Sequence, residues 1–425
     1  MTKKSFFFSF IITSLFLNCD RPSGSSVETA EIQQHLDSLF ENHQYFEVRR
    51  ILQNEATDLG EKEELLLQAK MHSVFNKRKE SNEYIDRLLT HFSNELSEKE
   101  RNELLETRIN NSLFLFDYAE ALETTIEILD SDSLPEESRE EHLNTRIIYE
   151  TLQQVPPQEV NLKETKLPIV KDVAGLSRIP VSLNSLRQEV VFDTGANFSV
   201  ITDSLAIRSG IKIMGEEFMV KAITGGEVSS RIGLADSLKI GNSLLENVIF
   251  LVFPKESLSF PEANYTIDAI LGFPVINALE EITLVNGKEF IITSHIANPR
   301  SPNLALDFLT PIVEVYEDST SLPFTFDTGA NSTALYRNYF ELRKKEVLEK
   351  GILDSLRFGG AGGVTKVPVY YTEFLGQINN TPFQLDSAAV HFEDVRNYHG
   401  IYGNLGQDVL SQFDTLVLDF KEMAF

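Results

Sequence analysis

A six-residue motif, Phe-Asp-Thr-Gly-Ala-Asn, occurs twice in this 425-residue chain, at 192–197 and at 326–331. Apolar residues precede and follow each copy, and this pattern predicts a loop between two β-strands. Because an internal repeat marks a duplicated structural unit, the two copies predict two similar lobes. Each loop would carry one carboxylate, from Asp193 and from Asp327. Two carboxylates that share a proton can activate a water molecule.

The repeat extends well beyond the six-residue motif. Glycines recur 32 and 79 residues after each Asp. These matched glycines are Gly225 and Gly272 in the first copy, and Gly359 and Gly406 in the second. Apolar residues also stay in register after the second glycine, with Leu284 matching Leu418. Chance does not readily produce several features at equal offsets, so the sequence indicates a duplication.

These motifs resemble those of the retropepsin and pepsin-like aspartic proteases, over roughly the last 260 residues. The resemblance implies a mostly-β bilobal fold in which Asp193 and Asp327 are the catalytic pair. It also implies supporting residues around the pair, in which threonines brace the two loops and a glycine ends each segment beneath them. These support residues are Thr194, Gly195, Thr328, Gly329, Gly272 and Gly406. A glycine-rich hairpin would form a flap over the substrate in each lobe. The flap candidates are Gly225, Gly226, Gly359, Gly360, Gly362 and Gly363.

Three positions depart from the pepsin pattern. Ala196 and Ala330 stand where pepsins usually have Ser, as in retropepsins. Loss of a hydroxyl that donates to the carboxylate predicts a less acidic pair than that of pepsin. Asn404 replaces the aliphatic residue that the family has before Leu405 and Gly406. The resemblance therefore supports the brace beneath the first Asp more strongly than that beneath the second.

The same residues also have an ordinary structural interpretation, since Asp and Gly are common in turns. The duplicated context favours the catalytic interpretation of the two Asp residues. For the first glycine pair, Gly225 and Gly226, a simple turn is the better interpretation. Residues 359–363 hold four glycines. Ordering four glycines costs more backbone entropy than a simple turn requires. A lobe pair that keeps the fold without activity also stays open.

The N-terminus predicts export from the cytoplasm. Lys3 and Lys4 precede a largely apolar run at 6–17, which is shorter than the about 20 residues that span a bilayer but suits a signal peptide. The single cysteine, Cys19, follows this run, and the arrangement resembles a bacterial lipoprotein signal. We expect a signal peptide at 1–18, lipid attachment at Cys19 and a flexible tether at 19–30, which would anchor the protein at the bacterial cell envelope, facing the periplasm or the cell surface. An ordinary secretory signal with an incidental cysteine is the alternative.

Residues 31–154 are rich in Glu, Leu, Lys and Gln, which favours helices. Comparable helix starts near Tyr45, Ser81 and Tyr118 give a period of 36 or 37 residues, and residues 117–122 resemble the second helix of a tetratricopeptide repeat. We predict a domain of three or more antiparallel helix pairs that folds apart from the lobes and is dispensable for the chemistry. Such a stack could bind a protein partner or serve only as a spacer.

Composition excludes several classes of function. With 64 acidic against 38 basic residues, the net charge of −26 disfavours nucleic acid as a partner. The eight histidines form no His-Glu-x-x-His motif and there is one cysteine, so we expect no metal and no cofactor. The sequence also lacks the Gly-x-Ser-x-Gly nucleophile turn. The two Asp-Thr-Gly loops are therefore the strongest candidate for catalysis.

The sequence predicts an α+β multidomain chain, with lobe 1 at 162–298 and lobe 2 at 303–425 after the helical domain. The predicted function is an aspartic endopeptidase that hydrolyses peptide or protein substrates with a water activated between Asp193 and Asp327. Because one chain supplies both carboxylates, we expect the monomer to be catalytically sufficient. The alternative is a lipid-anchored scaffold whose helices bind a partner while inactive lobes serve as a recognition module.

Overall fold

The computed structural model describes residues 26–54, 59–131, 134–221, 226–293, 302–360, 363–394 and 399–425. A helical region comes first, and a mostly-β region with two barrel-like sheets follows it, which confirms the predicted fold class. The predicted signal peptide, Cys19, most of the tether, Gly225 and Gly362 lie outside the described residues. In the described ranges, no helix is both long enough and apolar enough to cross a bilayer.

Consecutive helices of the N-terminal region pack against one another. In the described part of this region, the helices are α1 (Ser26–Glu41), α2 (Tyr45–Asn54), α3 (Glu61–Val74), α4 (Arg78–His91), α5 (Glu98–Phe114), α6 (Tyr118–Leu129) and α7 (Glu136–Leu152). Two of the three predicted helix starts, Tyr45 and Tyr118, are confirmed, whereas α4 begins three residues before Ser81. The Ser97 hydroxyl and the Glu100 side chain form a capping box that fixes the start of α5.

The same turn closes three helix pairs. His43, Asn76 and Phe116 have φ of 55°, 59° and 57°, and each lies two residues before the next helix. In each turn, the amide of this residue donates to the carbonyl three residues earlier, and the following amide donates to the carbonyl five residues before it. This is the Schellman arrangement, which satisfies the last carbonyls of a helix. The three pairs therefore share one turn geometry.

The helical region does not pack apart from the lobes, contrary to our expectation. The Asn76 side chain, in the second of these turns, donates to Asn277 Oδ1 at 3.0 Å and to the Phe420 carbonyl at 2.8 Å. The Phe114 ring packs edge-on against Phe273, with ring centroids 6.0 Å apart. Buried side chains of the helices and of both lobes form one continuous apolar core. The helices and the lobes therefore share part of their stabilisation.

Lobe 1 is built on a nine-stranded sheet in which β1, β9, β6, β12, β5, β4, β8 and β7 are neighbours in that order and β3 pairs with β4. Its strands are β1 (Glu159–Asn161), β2 (Thr165–Pro168), β3 (Val170–Lys171), β4 (Ser177–Leu183), β5 (Leu186–Phe192), β6 (Val200–Thr202), β7 (Lys212–Lys221), β8 (Glu227–Ile240), β9 (Ser243–Phe253), β10 (Ser259–Phe260), β11 (Tyr265–Thr266), β12 (Ala269–Leu271), β13 (Glu281–Val285) and β14 (Glu289–Ile292). Its helices are α8 (Asp203–Arg208) and α9 (Phe273–Asn277), with 3₁₀ turns at Lys255–Leu258 and Pro261–Ala263.

Lobe 2 repeats this plan in an eight-stranded sheet, with the order β15, β16, β17, β22, β18, β21, β20 and β19. Its strands are β15 (Leu304–Asp307), β16 (Thr310–Glu317), β17 (Thr320–Phe326), β18 (Ala334–Leu335), β19 (Ile352–Gly360), β20 (Gly363–Ile378), β21 (Thr381–Val390), β22 (Gly403–Leu405) and β23 (Thr415–Asp419). Its helices are α10 (Arg337–Lys350) and α11 (Gln407–Leu410). In both lobes the strand before the Asp loop pairs in parallel with the strand that ends at the matched Leu-Gly.

A four-stranded sheet joins the lobes, with the order β2, β14, β13 and β23. The last strand of the chain, β23, pairs antiparallel with β13 of lobe 1. Asn286 and Gly287, both at positive φ, turn β13 into β14. This sheet therefore joins the C-terminal strand of lobe 2 to strands of lobe 1.

Candidate active site

Each Asp-Thr-Gly loop starts from the end of a buried strand. In lobe 1, the Asp193 amide donates to the Leu271 carbonyl at 3.1 Å. In lobe 2, the Asp327 amide donates to the Leu405 carbonyl at 3.0 Å. Because β5 and β17 end in buried residues and each pairs in parallel with the adjacent β12 or β22, both Asp residues emerge at equivalent places in their sheets.

The glycine of each loop makes room for the carboxylate of the other lobe. A Cβ atom on Gly195 would lie 2.4 Å from Asp327 Cγ, and a Cβ atom on Gly329 would lie 2.5 Å from Asp193 Cγ. No side chain larger than hydrogen fits at such distances, which explains the glycine at both positions. The two carboxylates that the sequence singles out are thus brought together across the lobe boundary.

Two threonines lock the loops to each other. The amide of Thr194 donates to Thr328 Oγ1 and the amide of Thr328 donates to Thr194 Oγ1, both at 3.0 Å. Each hydroxyl then donates to the carbonyl that precedes the opposite Asp, at Phe326 for Thr194 and at Phe192 for Thr328. Both threonines are buried. Since every donor and acceptor in this exchange is paired, the loops are held in one relative position.

The surroundings of the pair favour one shared proton. Gly195 N–H donates to Asp193 Oδ1 at 2.9 Å, and Gly329 N–H donates to Asp327 Oδ1 at 2.8 Å. Burial, the charge of Asp327 and a hydrogen bond with Asp327 raise the pKa of Asp193 well above 3.8, against the smaller effect of the amides of Gly195 and Ala196. Two carboxylates this close titrate as a pair. One can hold a proton while the other is ionised.

A hydroxyl supports the glycine that ends the segment beneath each loop. Ser199 Oγ accepts from the Gly272 amide, and Thr333 Oγ1 accepts from the Gly406 amide, both at 3.0 Å. The sequence analysis did not identify these two hydroxyl residues. A signal was available, because each lies six residues after its Asp. The repeat therefore preserves this hydrogen bond together with the motif.

Asn404 changes the polarity of the second supporting segment and leaves its strand pairing intact. It pairs with Thr325 in the same parallel register in which Ile270 pairs with Val191 in lobe 1. The Thr325 hydroxyl donates to Asn404 Oδ1 at 2.7 Å, and Asn404 Nδ2 lies 3.4 Å from Asp327 Oδ2. Both supporting segments therefore pair with the strand before the Asp loop in the same parallel register.

The flap candidates within the described residues lie on two antiparallel hairpins. In lobe 2, Gly359 and Gly360 end β19, and Gly363 begins β20 and pairs with Gly360. In lobe 1, Gly226 lies between β7 and β8, where a Cβ atom would have open space around it. Gly225 and Gly362 lie outside the described residues. A flap role for these glycines stays a prediction.

The helical region contacts the hairpin of lobe 1. Asn144 of α7 donates to the Met219 carbonyl of β7 at 2.9 Å, and Lys221 forms an ion pair with Glu141 at 2.9 Å. In lobe 2, β19 lies at the edge of its sheet and leaves Ile352 71% exposed. The hairpin of lobe 1 is thus braced by α7.

The carboxylate pair can position a water molecule, accept a proton from it and supply a proton to a bound carbonyl oxygen. No amide, thiol or hydroxyl nucleophile is needed for this chemistry. Among the described residues, no group of three or more His, Cys, Asp and Glu side chains is placed to hold a metal ion.

A family model described as aspartyl protease matches residues 179–275 of the chain. The match runs from β4 to α9, and it includes Asp193, Thr194, Gly195 and Gly272. The match covers the first copy of the repeat. The second copy, at 326–331, lies outside the match and is related to the first by the internal duplication. No curated protein matches the chain.

Proposed function

We propose that this protein is an aspartic endopeptidase that hydrolyses peptide bonds with a water held between Asp193 and Asp327. The single observation that carries the proposal is the placement of each carboxylate against the glycine of the other loop. The raised pKa of Asp193 supports it, because a catalytic pair requires one carboxyl group that keeps its proton. The aspartyl protease match over residues 179–275 supports the same class.

The reaction needs no covalent enzyme intermediate. The ionised carboxylate takes a proton from the water while the water oxygen attacks the carbonyl carbon. The protonated carboxyl group gives its proton to the carbonyl oxygen, and a tetrahedral diol forms. The pair then gives its proton to the amide nitrogen and takes one from a diol hydroxyl as the C–N bond breaks, so that it again holds one proton. The cross-braced Thr194 and Thr328 keep the two carboxyl groups in place throughout.

Proteolysis of a mixed peptide library tests this proposal. We expect the wild type to cleave peptides and Asp193→Asn to lose about 10²- to 10⁴-fold in rate, because an amide cannot exchange the required protons. Circular dichroism and thermal unfolding establish that the variant is folded. If the folded wild type cleaves nothing across acidic and neutral pH, the endopeptidase proposal fails and the scaffold alternative is favoured.

We also propose that Cys19 carries a lipid that anchors the protein at the bacterial envelope. The basic start, the short apolar run and the single cysteine support this. Cys19→Ser should lose incorporation of a labelled fatty acid and move the protein from the membrane fraction to the soluble fraction or leave it unprocessed. Asn18→Ser, which keeps the cysteine, is the matched control and should still be labelled. Unchanged labelling and membrane association of Cys19→Ser would contradict the proposal.

A further inference from the structure

The two lobes surround their Asp residues with side chains of different polarity. Equivalent residues of the lobes are 134 positions apart. At these matched positions, lobe 1 has the apolar pair Val191 and Ile270, whereas lobe 2 has the polar pair Thr325 and Asn404. The backbone pairing is the same in both lobes, so the polar pair is not needed to form the strands. Its effect must be sought in what it contacts.

The polar pair is buried and directed at one carboxylate. Thr325 is 2% exposed and Asn404 is 6% exposed. The Thr325 hydroxyl donates to Asn404 Oδ1, and this fixes the amide with its Nδ2 toward Asp327 Oδ2, 3.4 Å away. An amide nitrogen can only donate, so this orientation matches an oxygen that accepts. Removing Thr325 would allow the amide to turn its oxygen toward the carboxylate instead.

Asp327 thus has a donor beside each of its oxygens. Gly329 N–H donates to Oδ1, and Asn404 Nδ2 faces Oδ2. Asp193 receives the amides of Gly195 and Ala196, but the residue equivalent to Asn404 in lobe 1 is Ile270, which has no side-chain donor. Hydrogen bonds to the charged form of a carboxyl group favour that form. The side-chain donor therefore breaks the symmetry of the pair.

We propose that Asn404 is a positioning residue that keeps the negative charge of the pair on Asp327, which makes Asp327 the general base and leaves the shared proton on Asp193. The inference rests on the proposed function and assigns the two roles within it. The water proton goes to Asp327, and the Asp193 proton goes to the carbonyl oxygen.

The test compares Asn404→Leu with Ile270→Leu, its matched control in lobe 1. The pH profile of kcat/KM for a peptide substrate is measured for both variants and for the wild type. Without the donor, the pair loses its first proton only at higher pH, so the acidic limb of Asn404→Leu should move to higher pH. On that limb the rate should fall by about two- to tenfold, the size expected for one hydrogen bond. The basic limb should stay in place, because the second proton leaves Asp193.

Ile270→Leu should change the rate evenly across pH and leave the limbs in place. Thr325→Val, which gives lobe 2 the residue of lobe 1, should move the acidic limb in the same direction by a smaller amount. It serves as the second variant if Asn404→Leu does not fold. An Asn404→Leu profile that is lowered evenly at all pH values would show a role in packing alone and overturn the inference.

Thermal unfolding provides a readout that does not depend on activity. The Tm difference between the wild type and Asn404→Leu should widen from pH 3 to pH 7, because the donor stabilises only the ionised pair. If peptides are not cleaved but this difference widens, the charge assignment stands and the endopeptidase proposal fails. If peptides are cleaved while the difference and the acidic limb stay constant, the assignment fails and the endopeptidase proposal stands.

Discussion

Lobe 1 and lobe 2 keep the same loop and differ in what lies beneath it. The glycines and threonines of the two motifs occupy equivalent positions and make equivalent contacts. Three residues after Ile270 and Asn404, however, lobe 1 has Phe273 where lobe 2 has Gln407. Phe273 is fully buried and packs against Phe114 of the helical region. Gln407 donates instead to the Thr328 carbonyl at 2.6 Å and lines a cavity of about 60 Å³ beneath the loops.

This comparison shows which parts of a duplicated site can diverge. Positions within contact of the opposite carboxylate stay identical, because any added atom would overlap it. Positions one layer below the loops do not touch the opposite carboxylate, so their side chains can differ between the lobes and suit the residues around them. In lobe 1 this layer faces helices, and it is apolar. In lobe 2 the same layer is polar, and through Asn404 it contacts Asp327.

The largest effect is expected at the residues that the lobes share. Gly195→Ala and Gly329→Ala should each reduce peptide cleavage by about 100-fold or more, because the new methyl group would displace the opposite carboxylate, and a misplacement near 1 Å costs about that much. Cleavage rates and circular dichroism check this.

Gly210→Ala is the control for that pair, since Gly210 has φ of 67° and open space around it. It should lose about 1 kcal/mol of stability from backbone strain and keep its cleavage rate. If Gly195→Ala and Gly329→Ala kept near-normal activity, the two carboxylates would not lie where the structure has them.

The second prediction concerns the layer below, where the lobes differ. Phe273→Ala should lower the free energy of unfolding by about 3–5 kcal/mol, because it leaves a cavity between lobe 1 and the helices. Gln407→Ala should lower it by about 1 kcal/mol, the size of one hydrogen bond. Denaturant unfolding of both variants measures the difference. Equal losses would mean that the helices contribute no more to lobe 1 than solvent does.

The third prediction uses the raised pKa of Asp193. Because this pKa is higher in the folded chain than the value near 3.9 of an unfolded Asp, the folded chain binds more protons, and stability falls as pH rises through this window. Asp193→Asn removes the effect and should raise the Tm by a few degrees at pH 7. At pH 3 the carboxyl group is protonated in both states, so the gain should be smaller. An equal gain at both pH values would contradict the raised pKa.

The pair of carboxylates was predictable from sequence because the duplication repeats short local motifs at fixed spacing. The aligned repeats also contain Ser199 and Thr333 at equivalent positions. Their role was not predicted, because a hydroxyl in a loop indicates no function until the amide that it binds is known. Asn404 was noticed only as a departure, since its contact with Asp327 joins residues 77 positions apart.

The union of the helical region with the lobes was not predictable. The composition of the helical region differs from that of the lobes, and this difference suggested that the two fold separately. The contact of Phe114 with Phe273 joins elements far apart in the chain, and neither residue stands out from the many apolar residues around it. The turns at His43, Asn76 and Phe116 also lack the glycine that usually marks a Schellman turn. Helix periodicity identified these helices but not the surface that they cover.

The central claim is that both halves of the site come from one chain, and mixing two inactive variants tests it most directly. Asp193→Asn keeps an intact lobe 2, and Asp327→Asn keeps an intact lobe 1. We predict that the two variants, refolded together or mixed at any concentration, recover no peptide cleavage, and that wild-type activity per molecule stays constant on dilution. Recovered cleavage in the mixture, or a steep loss of wild-type activity on dilution, would show that the site forms between chains and would contradict the account.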